Sequence, residues 1–200
     1  FEHVAVATGS IWRRDGVARH NLVPIRMDAA MPVFTPDDLM AGKLPDGGEV
    51  VLYDDDHYYM GGVLAELLVR NGARVTLVTP SNLVSEWTLN TLEQRRIQAK
   101  MIELGVTIVT AHGVGAVGAK GVTLDCAFTG RTREIACDAV VMVTARLPND
   151  ALWQELKARE SEWAGAGIKS VKRIGDAEAP APIAWATYAG HRFARELDTV

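Results

Sequence analysis

The residues with the clearest potential for chemistry lie in a turn between an apolar run and a helical pattern. The apolar run, Val50–Tyr53, predicts a short strand, and apolar residues then recur at helical spacing over 63–68. Gly72 is placed to end this helix, and a second strand is predicted over 74–78. The stretch therefore predicts a β-α-β unit, whose first turn is where such units usually bind the phosphates of a dinucleotide.

The turn itself departs from a phosphate-binding turn at two positions. Such turns follow the pattern G-x-G-x-x-G. If Gly61 is the third glycine, the first two positions fall on Asp56 and Tyr58. The Tyr58 side chain would fill the space through which the backbone approaches a pyrophosphate, and the aspartates at 54–56 put negative charge where a helix start attracts phosphate.

The end of the second strand lacks the remaining part of a nicotinamide site. An acidic residue normally lies there, about 20 residues beyond the turn, and holds the ribose hydroxyls. Residues 78–81 read Val-Thr-Pro-Ser, with neither that acid nor an arginine for a 2′-phosphate. The sequence therefore predicts a structural β-α-β unit that does not bind NADH or NADPH.

Composition limits the function further. The chain has 200 residues, enough for one large or two small domains, with a net charge of −4 and a pI near 5.7. This acidic balance argues against nucleic acid as a partner. No apolar run approaches the roughly 20 residues of a membrane span, and no signal peptide is recognisable, so we expect a cytoplasmic protein without a membrane partner. The start at Phe1 suggests a fragment of a longer protein.

Two cysteines, Cys126 and Cys137, are too few for an iron–sulfur cluster, which takes four. We expect both to be reduced, as is usual in the cytoplasm. The five histidines show no metal-ligand spacing and are expected to be surface or packing residues; they are His3, His20, His57, His112 and His191.

The rest of the chain supplies elements around this unit. Two short strands end in small-residue turns: one at Val4–Ala7 runs into Thr8-Gly9, and one at 171–174 runs into Gly175-Asp176-Ala177. Other predicted elements are a short helix from Thr35 to about Ala41, a helix over 90–104, a meander of strands at 112–117, 122–128 and 133–137, a fully apolar strand at 139–143, a helix over 150–164, and a last helix over 182–197 that turns Ile183, Ala186, Ala189, Phe193 and Leu197 inward.

This order resembles the two-dinucleotide-domain architecture of glutathione-reductase-type flavoproteins. The implied fold class is α/β: a Rossmann-like three-layer nucleotide-binding fold with a β-meander, whose first FAD-type β-α-β unit is missing. On this resemblance, residues 1–47 and 147–200 form a partial FAD- or ADP-type domain. Residues 48–146 form an inserted NAD-type domain with a degenerate dinucleotide turn.

Three stretches make the resemblance more specific. Residues 152–163 (LWQELKARESEW), 174–180 (IGDAEAP) and 190–192 (GHR) closely resemble the C-terminal region of the trimethylamine dehydrogenase and histamine dehydrogenase family. The turn at 53–59 (YDDDHYY) is similar to that of histamine dehydrogenase and of the demethylases of methylated amino acids.

The resemblance implies that the parent protein is an oxidoreductase that oxidises a small amine. Family members carry FMN and a 4Fe-4S cluster in an N-terminal TIM barrel, hold ADP (or FAD) at the FAD-type site, and pass electrons to an electron-transferring flavoprotein. A homodimer is expected. None of the barrel is present here, so we assign no catalytic residue and no metal ligand to this chain and expect it to be inactive alone.

The resemblance places five cofactor-binding candidates at the ends of strands, where ligands bind in such folds. They are Thr8, Gly9, Gly175, Asp176 and Ala177. In the resembling fold, the carboxylate at Asp176 and the following helix start face the ribityl-phosphate region of the cofactor. The alternative is that Asp176 is simply a helix-start acid favoured by the helix dipole.

Two alternatives to the amine dehydrogenase stay open at this point. One is a 2,4-dienoyl-CoA or enoate reductase of the same wider family, which binds both FAD and NAD(P)H and needs an open turn at Asp56 and Tyr58. The other is a non-catalytic nucleotide-binding or interaction module. The presence of a barrel before Phe1 in the intact protein would distinguish the enzyme from the module.

Overall fold

The computed structural model describes residues 1–197 and divides the chain into two compact units. Unit 1 comprises Phe1–Ile11 and Arg146–Val200, and unit 2 comprises Trp12–Ala145. The resemblance implies a first domain that includes residues 1–47, whereas residues 12–47 belong to unit 2 in the structure. These residues join unit 2 because they contribute two strands to its sheets. The nucleotide type of each domain stays a prediction.

The described strands are β1 His3–Val6, β2 Ser10–Trp12, β3 Arg26–Met27, β4 Val33–Phe34, β5 Glu49–Asp54, β6 Arg74–Val78, β7 Thr107–Val109, β8 His112–Gly118, β9 Gly121–Cys126, β10 Thr132–Ala136, β11 Ala139–Val143, β12 Arg146–Pro148 and β13 Ser170–Arg173. The α-helices are α1 Pro36–Met40, α2 Tyr59–Arg70, α3 Gln94–Glu103, α4 Ala151–Ala158 and α5 Ile183–Arg195. Short 3₁₀ helices cover Glu86–Thr91, Glu160–Glu162 and Gly175–Ala177.

Unit 2 is built around a five-stranded parallel sheet in the order β4-β11-β5-β6-β7. The predicted β-α-β unit is confirmed as β5-α2-β6, and the uniformly apolar strand β11 is buried beside β5, as expected for a central strand covered on both faces. The predicted meander is confirmed as β8-β9-β10, which forms a second sheet with β3. Unit 2 therefore has the predicted Rossmann-like three-layer α/β fold.

Alternation along the central strands sends side chains to two separate cores. Leu52 packs on the helix side with Leu64 and Leu68 of α2. Tyr53, the next residue, packs on the opposite side with Val114 and Leu124 of the meander. Because successive strand residues face opposite sides, one apolar strand fills both cores.

Two predicted helices differ from the observed ones, and a third agrees. Helix α3 begins at Gln94, not 90, because a 3₁₀ helix precedes it and Leu92 has a left-handed backbone. Helix α4 ends at Ala158, after which the chain turns back and the Trp163 indole donates to the Leu156 carbonyl (2.9 Å). Helix α1 has the predicted start, with Thr35 and Asp38 forming a capping box and Pro36 in the first turn.

Unit 1 contains a parallel pair, β1 with β13, in which Val6 lies opposite Arg173, and a second two-stranded pair, β2 with β12. Residue Trp12 at the end of β2 is already the first residue of unit 2. The predicted inward face of α5 is found in part: Ala186, Ala189 and Phe193 are half-buried, whereas Ile183 is 81% exposed. Among the described residues, no helix combines the length and apolar character needed to cross a bilayer.

Candidate functional site

The five candidate residues of unit 1 lie at one sheet edge. Since β1 and β13 are parallel, their carboxyl ends meet at the same edge, and the Ile174 amide donates to the Val6 carbonyl (3.0 Å). Thr8 and Gly9 leave β1 there, and Gly175–Ala177 leaves β13 there. The structure thus brings the candidates together, in the place where ligands bind in open α/β sheets.

Two glycines keep the backbone of this edge open. Gly9 and Gly175 have φ of 79° and 60°, a left-handed region that other residues rarely adopt. A Cβ atom at Gly9 would meet no atom within 4 Å, and one at Gly175 would touch Ala186 at 3.5 Å. The main chain at Gly9 is therefore open, whereas Ala186 covers Gly175.

The carboxylate of Asp176 is held by the protein itself. Its Oδ2 atom accepts hydrogen bonds from the Ser10 hydroxyl (3.0 Å) and the Arg146 guanidinium (2.8 Å), and Oδ1 accepts one from the Ala181 amide (3.2 Å). Its side chain keeps 23% of its surface exposed. Asp176 is thus more than a helix-start acid, because it ties β2, β12 and the loop before α5 together.

A second pair of links fixes the turn after β1. The Thr8 hydroxyl donates to the main-chain carbonyl of Asn149. The main-chain amide of Asn149 donates to the Gly9 carbonyl (2.9 Å), and its side-chain amide donates to the Thr8 carbonyl (3.2 Å). Ala177 is fully buried and anchors the turn after β13. These contacts hold the main chain of both turns in place without a bound ligand.

The turn at the degenerate dinucleotide position of unit 2 folds around Asp54. This residue ends β5 and is fully buried. Its Oδ1 atom accepts hydrogen bonds from the amides of Asp56 (3.2 Å) and His57 (3.0 Å), whereas Oδ2 has no hydrogen-bond partner within residues 1–197. The carboxyl group therefore shapes the turn through which the chain enters α2.

Gly61 makes room for this carboxyl group. A Cβ atom at Gly61 would lie 2.4 Å from Asp54 Oδ2 and 2.6 Å from its carboxyl carbon, which is closer than real atoms approach. Gly61 therefore has a different use from the third glycine of a nucleotide turn, because it accommodates a side chain of the same protein.

A buried network of carboxylates and histidines surrounds the turn. His57 Nε2 pairs with Asp55 Oδ1 (2.8 Å), and Asp55 Oδ2 accepts the main-chain amide of His20 (2.8 Å). The His20 ring in turn pairs with Asp125 Oδ2 (2.7 Å). The network fastens the segment around His20 to the carboxyl end of β5 and to the meander.

Two glycines of the meander strand β8 accommodate the second half of this network. A Cβ atom at Gly113 would lie 2.2 Å from the His20 ring, and one at Gly115 would lie 2.8 Å from Asp125 Oδ1. The buried Tyr53 hydroxyl lies 3.5 Å from Asp55 Oδ2. Burial, together with the charge of Asp55, raises the pKa of Tyr53 above its ordinary range, so this phenol stays neutral.

Burial also raises the pKa of Asp54, to about 7, although the amide of His57 and the charge of His57 favour its ionised form. His57 itself has a left-handed backbone with φ of 64°, which is unusual for a residue with a side chain. The Asp54 and Asp55 hydrogen bonds hold it there.

Sequence reasoning missed this network, since it treated His20 and His57 as surface or packing residues. The run Asp54–His57 directly after a buried strand was the one local signal. The partners His20 and Asp125 lie 105 positions apart, so spacing alone could not pair them.

Among the described residues, no group of three or more His, Cys, Asp or Glu side chains could hold a metal ion, and both cysteines are free.

Known proteins resemble this chain both in sequence and in structure. Residues 34–139 match the protein family described as the OYE-like second alpha/beta domain. Dimethylamine dehydrogenase from Hyphomicrobium sp. (strain x) is 36% identical over an alignment that covers 98% of this chain and 29% of that enzyme.

Two solved structures are similar over nearly the whole chain. Histamine dehydrogenase from Rhizobium sp. 4-9 has a TM-score of 0.97 and 58% identity, covering 100% of this chain and 31% of that one. The 6-hydroxypseudooxynicotine amine oxidase of Pseudomonas geniculata N1 has a TM-score of 0.87 and 41% identity, covering 95% and 28%. The chain thus spans about a third or less of the length of these relatives.

We predict that Gly61→Ala destabilises unit 2 by about 1–3 kcal/mol, because the new methyl group collides with the buried Asp54 carboxyl. Gly62→Ala is the matched control in the same helix turn. Its Cβ would meet the Ile97 side chain at 3.0 Å, which can shift, and alanine favours the helix, so we expect a change near zero. Urea unfolding measures both, and equal effects of the two substitutions would contradict the prediction.

We predict that Asp54 makes stability fall as pH rises. Its pKa is 3.8 in the unfolded chain and about 7 in the fold, so the folded state holds an extra proton between these values. Relative to Asp54→Asn, wild type should therefore lose at least about 1.4 kcal/mol of unfolding free energy between pH 4 and 7, the equivalent of one pKa unit. Urea unfolding at each pH measures this. If the unfolding free energies of the two proteins change by the same amount between pH 4 and 7, the prediction is wrong.

Proposed function

This chain belongs to the family of the OYE-like second alpha/beta domain, in the C-terminal region of the trimethylamine and histamine dehydrogenases, and we propose that it is the C-terminal portion of an amine dehydrogenase. The observation that carries the proposal is the likeness to a histamine dehydrogenase over the entire chain. The intact protein would oxidise a small amine, by oxidative N-demethylation or deamination. A dimethylamine dehydrogenase among the relatives supports the same substrate class.

The redox groups of the intact protein would lie outside this chain. FMN and a 4Fe-4S cluster belong to the proposal, but the residues described here do not fit a cluster, because they offer no group of metal-binding side chains. Two free cysteines cannot supply the four thiolates that such a cluster takes. This chain therefore contributes no redox step of its own.

The sheet edge of unit 1 fits an adenine nucleotide, ADP or FAD. The open backbone at Gly9 would admit its phosphates, with Thr8 and Asp176 at the same edge, whereas Gly175 is covered by Ala186 and the buried Ala177 would support the turn from within. ADP would supply binding energy and no redox chemistry. Arg146 and Ser10 would keep the Asp176 carboxylate in a fixed orientation at this site.

Unit 2, in contrast, would serve a structural purpose. The side chains of Asp54, Asp55 and His57 fill the turn where a nicotinamide cofactor would place its phosphates. This geometry disfavours the 2,4-dienoyl-CoA or enoate reductase alternative, which needs NAD(P)H to bind. Electron transfer to an electron-transferring flavoprotein, a homodimeric state and a cytoplasmic location complete the proposal.

We predict that the intact protein oxidises a small amine and that the 200-residue chain alone does not. Amine oxidation needs a flavin next to the substrate, since the cofactor carries the redox chemistry. Both forms are assayed with trimethylamine, dimethylamine and histamine and an artificial electron acceptor, and flavin is measured after denaturation. Turnover by the isolated chain, or an intact protein without flavin, would refute the proposal.

We predict that NADH and NADPH do not bind to unit 2 with micromolar affinity, because Asp54–Asp56 and Tyr58 occupy the phosphate position. Titration calorimetry on the wild-type chain measures this directly. Micromolar binding of NADH that excess ADP does not compete away would show that the turn is an active nicotinamide site.

A further inference from the structure

A groove with a volume of about 480 Å³ lies between α2 and α3 on the surface of unit 2. Its lining includes Val63 of α2 together with Ile97 and Met101 of α3. Gly62 lets the two helices approach closely, because a Cβ atom there would already lie 3.0 Å from the Ile97 side chain. Val63 is 59% exposed, so the groove presents apolar surface to solvent.

The 3₁₀ helix that precedes α3 extends this apolar surface. The Tyr59 hydroxyl, at the groove, donates to the Glu93 carboxylate and lies 2.9 Å from the Thr91 hydroxyl. Leu92 follows Thr91 and is 89% exposed, and Leu89 is 50% exposed. These leucines are three residues apart, the spacing that places the side chains of a 3₁₀ helix on one face. We call the groove together with the two leucines the groove surface.

Buried polar residues fix the backbone that carries these leucines. Ser85 and Thr88 are fully buried, and the Thr88 hydroxyl donates to the Ser85 carbonyl (2.7 Å). Ser85 and Leu92 have φ of 50° and 63°, a left-handed backbone that residues with side chains rarely adopt. The exposure of Leu89 and Leu92 is therefore a property of the folded unit and not of a frayed end.

The mixed character of the groove surface indicates which kind of contact it makes. Apolar residues clustered around a groove mark a contact surface, whereas single exposed apolar residues do not. Charged residues of both signs also line the groove, Glu66, Arg96 and Lys100 among them. Obligate homodimer interfaces are more apolar, and interfaces between domains of one chain are more polar. The composition therefore favours another domain of the same polypeptide over a second copy of this chain.

The lengths of the relatives leave room for such a domain. This chain spans about a third or less of the length of its relatives, so about two thirds or more of each relative lies outside it. We propose that the groove surface is an inter-domain interface, which in the intact protein packs against the polypeptide outside these 200 residues. Unit 2 then docks the rest of the enzyme instead of binding a cofactor. The inference rests on the proposed function, because it takes this chain to be the C-terminal portion of a longer enzyme.

The test compares the rate at which a maleimide labels single introduced cysteines in the isolated 200-residue chain and in the intact protein, with the labelled positions located by mass spectrometry. Leu89→Cys and Val63→Cys each place a thiol on the groove surface, at exposed positions where substitution changes stability little. We expect both thiols to be labelled at least about tenfold more slowly in the intact protein, because labelling then requires local opening of the interface.

Val23→Cys is the matched control. Val23 is 70% exposed, and its segment lies on the meander side of the central sheet. The Asn21 side chain fastens this segment to the Val114 carbonyl (2.9 Å), and Ile25 packs on the meander core. The thiol at position 23 should therefore be labelled at the same rate in both proteins.

Three results would overturn the inference: equal labelling of Leu89→Cys and Val63→Cys in the two proteins, equal slowing of Val23→Cys, or protection in the isolated chain that increases with its concentration. The last result would assign the groove surface to a second copy. The inference and the proposed function fail separately. An intact protein without flavin or amine oxidation would overturn the proposed function alone, because the labelling rates do not depend on activity.

Discussion

The contact between the Asp54 carboxyl and the backbone of Gly61 sets the geometry of unit 2 at the carboxyl end of its sheet. The side chain closes over the first turn of α2, so no other side chain than hydrogen is accommodated at position 61. The same carboxyl holds the amides of Asp56 and His57 and so fixes the path from β5 into the helix. A turn that binds a ligand in related folds is here completed by the protein itself.

The carboxylate–histidine network extends this closure. Asp55 joins the His57 ring to the main chain of His20, and the His20 ring continues to Asp125 in the meander. The network supplies hydrogen bonds to both oxygens of the buried Asp55 carboxylate, which lowers the cost of burying it. It connects the sheet, the segment before β3 and the meander.

Unit 1 presents a different arrangement. Its strands β1 and β13 bring two turns to one edge, and Asp176 is shared between Ser10 and Arg146. The edge keeps accessible backbone at Gly9, whereas the corresponding region of unit 2 is filled by side chains. An adenine nucleotide on unit 1 and none on unit 2 is therefore the arrangement that the two edges support, and it agrees with an amine dehydrogenase that takes no electrons from NAD(P)H.

The sequence by itself determined the local elements. It also showed that the turn between β5 and α2 lacks the glycines of a nicotinamide-binding turn. Apolar periodicity located β5, α2, β6 and the meander, and the residue types at 56 and 58 excluded a glycine-rich turn, because both kinds of information are local. Only the tertiary structure placed Asp54 against Gly61, joined His20 to Asp125 and left Ile183 exposed at the start of α5. Such contacts depend on how distant segments pack, which no spacing along the chain encodes.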